Sequence, residues 1–238
     1  MPLAFINGVI VYFAHVPKTG GSSIEAYLRS KGRVGLLQKE TLGWSRCTAQ
    51  HIERRIYAEL MLDTFADTGF AVVRDPLERL KSEYRYRVDL SGGKRNGDAT
   101  SARRKLRRIL KTMVFRTGCG VPAGVLTFEE WVSQVFAAYP QNNYINDNHI
   151  RPQSEFIDPA HKLFRFEDGL DAVFDWIDAT TNTVQMRRDH HVKKSSERGF
   201  PVSPETMRMI EDFYKDDYDV IGALDRPQPE SRLVSGAP

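Results

Sequence analysis

The stretch Val9-Ile-Val-Tyr-Phe-Ala-His-Val-Pro-Lys-Thr-Gly-Gly-Ser-Ser-Ile-Glu25 passes from a continuous apolar run, through a glycine-rich turn, into helical spacing. A run that is β-branched and aromatic on both alternations, as Val9–Val16 is, predicts a strand covered on both faces. After the turn, Ile24, Tyr27 and Leu28 fall on one helical face, and Gly32 supplies the stop.

Two further units repeat this order. Gly69-Phe-Ala-Val-Val73 is a second buried strand, followed by Arg74-Asp-Pro76 and a helix bearing Leu77, Leu80 and Tyr84 on one face. Pro76 fits the first turn, where its missing N–H costs little. Lys162-Leu-Phe-Arg-Phe166 precedes a helix with Leu170, Val173, Phe174 and Ile177. Strands alternating with helices predict an α/β, three-layer sandwich with a central parallel sheet and P-loop-like nucleotide-binding architecture.

Elsewhere, Ser101 to Thr117 reads as a basic amphipathic helix, and Ser91 to Gly97 as a loop or an acceptor-binding lid. Thr127 with Glu130 predicts a capping box ahead of Phe128, Trp131, Val132 and Val135. Ser203-Pro204 opens a helix with Met207, Ile210 and Tyr214. We expect one domain over residues 1–224 and a loose tail over 225–238, where Pro, Ser and Gly accumulate.

The turn itself has the chemistry of an anion site. Gly20 and Gly21 let the backbone approach a ligand, and the following helix presents N–H groups and the positive end of its dipole. Thr19, Ser22 and Ser23 add hydroxyls, and Lys18 adds a positive charge. The alternative is a tight turn in which the serines only cap the helix. The usual ATP-binding loop ends Gly-Lys-Ser/Thr; here the lysine precedes the glycines.

With these residues in view, the chain resembles the 3′-phosphoadenosine 5′-phosphosulfate (PAPS)-dependent sulfotransferases, especially their Golgi-type and bacterial carbohydrate branch. The resemblance implies that Pro17, Lys18, Thr19, Gly20, Gly21, Ser22 and Ser23 bind the 5′-phosphosulfate end of PAPS. Val73-Arg-Asp-Pro-Leu-Glu-Arg-Leu-Lys-Ser-Glu-Tyr84 is similar to the family's second signature, which implies that Arg74 and Ser82 hold the 3′-phosphate. An Arg fork suits phosphate oxygens, although a surface ion pair to Asp75 or Glu78 would also employ Arg74. Asn148-His-Ile-Arg-Pro-Gln153 is similar to a His-x-x-Pro-Gln string of glycan-directed members. Arg165-Phe-Glu-Asp-Gly169 and Val192-Lys-Lys-Ser-Ser196 resemble later segments, the last implying Lys193 and Ser195 near the nucleotide. The likeness spans residues 8 to 222.

The implied reaction moves a sulfuryl group from PAPS to a hydroxyl, releasing adenosine 3′,5′-bisphosphate. Lys18 is then placed to stabilise the leaving phosphate and the transferring group. The base that takes the hydroxyl proton is His149 or His51, since imidazole accepts protons near neutral pH; Glu25 and Glu40 are weaker alternatives. His51 departs from the family's His-x-Thr-Ala pattern, because Arg46-Cys-Thr-Ala49 stands there. The adjacent His190 and His191 lack the i, i+4 spacing of a metal-binding helix, and no metal requirement is expected.

Composition limits the alternatives. The 238 residues are 41% hydrophobic and 27% charged, which is ordinary globular usage, with a net charge of +3 that suits an anionic ligand without establishing one. Cys47 and Cys119 form no disulfide framework and are expected as free thiols. The apolar start lacks a basic leader, and no apolar run approaches a membrane span, so a soluble cytoplasmic protein is expected. Two rival readings are a nucleoside-triphosphate enzyme resembling a kinase, and a noncatalytic module whose basic helix binds a polyanion. The expected partner is a hydroxylated acceptor, a carbohydrate by the resemblance, and not a nucleic acid; the sequence leaves oligomeric state open.

Overall fold

A computed structural model describes residues 2–38, 40–41, 46–92, 126–184 and 201–225, and of 88–92 the backbone alone. Strands β1 (Leu3–Ile6), β2 (Val9–Ala14), β3 (Arg33–Gly35), β4 (Thr68–Val73) and β5 (Lys162–Arg165) form one sheet ordered β3-β1-β2-β4-β5. Its helices are α1 (Gly21–Lys31), α2 (Arg54–Leu60), α3 (Pro76–Gly92), α4 (Phe128–Ala138), α5 (Asp171–Thr181), α6 (Pro204–Phe213) and α7 (Lys215–Leu224).

The three strands expected from the sequence are the parallel ones: β2 pairs β4 with Phe13 opposite Phe70, and β4 pairs β5 with Val72 opposite Phe164. Period-2 alternation then sorts their side chains between two faces. Val11, Phe13, Phe70 and Val72 pack with Ile24, Tyr27 and Leu28 of α1 and Val173, Phe174 and Ile177 of α5. Tyr12, Ala14 and Ala71 turn the other way, onto Cys47, Ala49, Ile52, Ile56 and Tyr57. Helices on both faces make the α/β three-layer sandwich. At about 1.5–3 kcal/mol for each large apolar side chain buried, these two layers are the main stabilising term.

The antiparallel edge was not anticipated from the sequence. β1 folds back on β2 through Asn7 (φ 48°) and Gly8 (φ 87°), an Asn-Gly hairpin turn whose two positive φ values match strand twist, and β3 pairs antiparallel with β1. Gly32 does end α1, by close approach: a Cβ there would lie 2.2 Å from the Phe5 carbonyl oxygen.

A second layer of helices forms beside the sheet. Leu80 of α3, Trp131, Val132 and Val135 of α4, Ile210 of α6 and Tyr214 share one core. The capping box is present, with Thr127 Oγ1 accepting the Glu130 N–H and Glu130 accepting the Thr127 N–H. Ser203 caps α6 ahead of Pro204. The chain continues past Tyr214 into α7, which the sequence reading did not separate. The basic 101–117 segment, residues 93–97, Cys119, His190, His191, Lys193, Ser195 and the tail from 226 onward lie outside the described residues. Among the described residues, no helix is long and apolar enough to cross a membrane.

Candidate active site

The carboxyl ends of β2 and β4 open side by side, the position at which parallel α/β sheets bind ligands. From β2 the chain enters the glycine-rich turn. Lys18 (φ 72°) and Gly20 (φ 84°) adopt left-handed backbone, which reverses the chain tightly enough to start α1 at Gly21. Gly20 caps the helix through its carbonyl, which accepts the Ser23 and Ile24 N–H groups, so neither serine caps it. Ser22 is exposed and Ser23 half-buried in the first turn, where helical N–H groups lack intrahelical acceptors. Thr19 is buried, its Oγ1 donating to the Val16 carbonyl at 2.8 Å as a brace across the turn. Lys18 Nζ lies over the Tyr86 ring, 4.1 Å from its centre.

Gly21 is fixed by its neighbour. A Cβ at Gly21 would lie 1.8 Å from His15 Nε2, so the imidazole occupies the space any larger residue would need. His15 is buried and stacks on Phe13, with Nδ1 at ion-pair distance from Glu25 Oε1, 3.0 Å. Glu25 also accepts from Gln50 Nε2.

From β4 the chain enters Arg74-Asp-Pro76. Arg74 makes no ion pair to Asp75 or Glu78. Its Nη1 donates to the Lys18 carbonyl at 3.2 Å, and its guanidinium lies 4.6 Å from the centre of the Phe166 ring. The Arg-Asp-Pro strand end therefore touches the glycine-rich turn. Burial lowers the Arg74 pKa from its usual value, partly offset by Glu167 and Glu78. Ser82 is half-buried two helical turns into α3.

The His-x-x-Pro-Gln string is a connector. Gln153 bonds both backbone groups of Arg74, accepting its N–H at 2.9 Å and donating to its carbonyl at 2.8 Å. Arg79, buried on α3, donates to the carbonyls of His149 and Arg151. Buried Asp217 of α7 accepts the N–H groups of Gln153 and Ser154 at 2.9 Å each. The string is thus held from α3, α7 and β4 at once.

Three histidines then line up beside the turn. The His15 and His51 ring centres are 4.9 Å apart, as are those of His51 and His149, each pair edge to face. Each ring faces a carboxylate through Nδ1: His149 on Glu83 at 2.6 Å, His51 on Asp147 at 2.7 Å, and His15 on Glu25. A carboxylate only accepts, so Nδ1 of His149 and of His51 carries the hydrogen and Nε2 keeps its lone pair. Burial pushes the His149 pKa down to about 4 against the opposing pull of Glu83, and burial pushes His15 down to about 4. Burial favours a neutral Glu83, but Arg87, His149 and Lys18 together hold its carboxyl well below the usual range. Asp147 is likewise held low against its burial, by His51 and the Thr48 N–H.

The structure thus brings Lys18, His51, His149 and Arg74 into one region, while Glu40 is exposed. Sequence reasoning passed over His15, Glu83 and Asp147. Glu83 stands inside the second signature next to Ser82. Asp147 lies in Asn146-Asp147-Asn148, three successive residues with φ 55°, 63° and 64°, and Asn and Asp are the types that tolerate this backbone. That turn aims Asp147 at His51.

The sequence pattern of the sulfotransferase family matches residues 9–222. The chain belongs to the sulfotransferase family. The match takes in the glycine-rich turn, the Arg-Asp-Pro strand end and all three aligned histidines, and membership makes this sulfotransferase a transferase of sulfuryl groups to hydroxyl acceptors. No curated protein and no solved structure matches the chain.

Proposed function

We propose that this sulfotransferase uses PAPS as donor and a carbohydrate hydroxyl as acceptor, as in the Golgi-type and bacterial carbohydrate branch. The observation that carries the donor assignment is the Arg74 Nη1 bond to the Lys18 carbonyl, which ties the strand-end arginine to the glycine-rich turn. A ligand with phosphate groups at both ends of one ribose needs two anion sites side by side, and this contact supports that reading.

In this reading the helix start at Gly21–Ser23 and the Lys18 ammonium hold the 5′-phosphosulfate, and Arg74 with Ser82 holds the 3′-phosphate. Lys193 and Ser195 join the nucleotide site by resemblance. Lys18 meets charge as it develops on the leaving phosphate oxygen, an electrostatic contribution that needs no reorganisation at the moment of transfer. His149 takes the acceptor proton at Nε2 while Glu83 holds its Nδ1–H and stabilises the imidazolium that results. His51, backed by Asp147, is the alternative base. The carbohydrate acceptor is supported by the His149-Ile-Arg-Pro-Gln153 string.

The test is donor-labelled turnover with PAPS against a panel of glycans, phenols and lipid alcohols, alongside thermal shifts by adenosine 3′,5′-bisphosphate and by adenosine 5′-monophosphate. The proposal expects transfer to a glycan and a larger shift from the bisphosphate. Equal shifts from the two nucleotides would remove the 3′-phosphate site, and transfer only to phenols would remove the carbohydrate assignment.

A further inference from the structure

The same residues that make a base also make a ligand set. Ligating atoms of His51, Asp147 and His149 all lie within 4.8 Å of one another. Two imidazoles and one carboxylate are the protein donors of an open zinc site, whose fourth position is left to solvent or substrate. Asp147 is partly exposed, with 29% of its side-chain surface accessible.

Each of the three is held by a group outside the set. Asp147 accepts the Thr48 N–H at 2.6 Å and the Thr48 hydroxyl at 2.9 Å. Asn148 Nδ2 donates to the His51 carbonyl at 2.8 Å, fixing the short turn that presents the ring. Glu83 holds His149 by Nδ1, so Nε2 is its free nitrogen, and a carboxylate behind a ligating imidazole is the usual orienting partner of a metal-bound histidine. His51 Nδ1 and Asp147 Oδ2 are 2.7 Å apart. Two ligands of one tetrahedral zinc, at bonds of about 2.0 Å, are separated by about 3.3 Å, so a small opening of this pair admits the ion.

We propose that His51, Asp147 and His149 bind a zinc-class divalent cation, which replaces the proton between His51 Nδ1 and Asp147 Oδ2 and takes His149 Nε2 as its third ligand. The cation then competes with the acceptor proton for His149 Nε2 and arrests turnover. That consequence, unlike the binding, rests on the proposed role of His149.

The full-length protein, stripped with chelator, is titrated with Co²⁺ alone and then with Zn²⁺. One equivalent of Co²⁺ should give the visible absorption of a tetrahedral centre, which Zn²⁺ displaces. Asp147→Asn and His149→Gln should each weaken binding at least tenfold. In the wild-type protein, whose folding is not at issue, Co²⁺ should broaden the ring resonances of His51 and His149 before those of His161. Absence of stoichiometric binding, or broadening confined to other histidines, overturns the site. Stoichiometric binding that leaves turnover undiminished keeps the metal site and overturns its inhibitory role, and with it the assignment of His149 as base. Loss of turnover by Zn²⁺ that chelator reverses supports both.

Discussion

Gln153 closes its side-chain amide onto the backbone of Arg74 with two hydrogen bonds, of 2.9 and 2.8 Å. The pairing extends the sheet's hydrogen bonding by one side chain beyond the end of β4, at the residue assigned to the 3′-phosphate. Gln153 holds the Arg74 peptide while its guanidinium reaches the Lys18 carbonyl and the Phe166 ring, so the residue is positioned from both ends. Gln153→Ala should therefore weaken adenosine 3′,5′-bisphosphate binding by roughly tenfold, the effect of losing one or two net hydrogen bonds. Adenosine 5′-monophosphate binding should change little. Isothermal titration with both nucleotides checks this, and equal losses for the two would place Gln153 in general stability instead.

Lys18 illustrates the difference between binding and catalysis. Its left-handed backbone places it ahead of the helix start, and its ammonium lies beside Tyr86 and near the buried Glu83. Lys18→Ala should lower turnover at saturating PAPS by about a hundredfold while changing bisphosphate affinity less, because in the proposed mechanism the charge it meets develops during transfer. Unchanged turnover at saturation would remove Lys18 from the mechanism.

The contact between His15 and Gly21 makes a prediction about the fold of the turn. The His15 ring cannot retreat easily, since Phe13 stacks on it and Glu25 faces its Nδ1. Gly21→Ala should cost about 1–3 kcal/mol, the usual range for overpacking a closed site. His15→Ala removes the obstruction, so the double variant should be less destabilised than the sum of the singles. Urea unfolding of the four proteins gives the coupling, and simple additivity would show that the clash is relieved elsewhere.

Stability should fall on mild acidification. His15, His149 and His161 are each pushed by burial to about 4 in the folded chain, against about 6.5 when unfolded. Between those values the unfolded chain binds more protons, so unfolding is favoured as pH drops from about 6.5 toward 4. The depressed carboxyls of Glu25, Glu83 and Asp147 add loss in the same direction at the acid end of this window. His161 lies outside the candidate site, where its Nδ1 accepts the Asp158 N–H at 3.0 Å. His161→Gln should flatten the slope by about one proton without changing turnover. A urea midpoint constant from pH 7 to 5 would contradict the neutral buried histidines.

The parts of this site that were legible in sequence are those built from neighbouring residues. The glycine-rich turn, the Arg-Asp-Pro strand end and the three strand-helix units are each read over a dozen residues, and the parallel strands fall where the apolar runs stand. The N-terminal hairpin was legible in principle through Asn7-Gly8, but a continuous apolar reading of the first sixteen residues runs across it. The His149–Glu83 and His51–Asp147 pairs were not legible, because each joins distant segments: Glu83 is 66 positions from His149, and His51 is 96 from Asp147. Their meeting depends on how the Asn146–Asn148 turn, α3 and the turn at Ala49–His51 pack, which no local pattern encodes.

In the proposed mechanism, what surrounds each ring favours His149 over His51 as the base. His149 has its Nδ1–H on a carboxylate that is completely buried and shared with Arg87, so Glu83 is held anionic and the His149 tautomer is fixed with Nε2 open. His51 lies between the other two rings, and its carboxylate is also bound by Thr48, a setting suited to orienting the row. His149→Ala should lower the single-turnover rate by about a hundredfold or more at pH 7, as losing a general base does, with bisphosphate binding near wild type. Exogenous imidazole should restore part of that rate, since the cavity left by the ring can admit a free base, and it should not rescue Lys18→Ala. Glu83→Gln keeps the shape but loses the charge that supports the imidazolium, and should slow transfer by an intermediate factor. Because that charge raises the His149 pKa, its removal should also move the acidic limb of the rate to lower pH. His51→Ala should be milder and insensitive to imidazole. If instead His51→Ala loses the rate and recovers it with imidazole while His149→Ala retains activity, then His51 with Asp147 is the base, and His149 is the residue that holds the row in place.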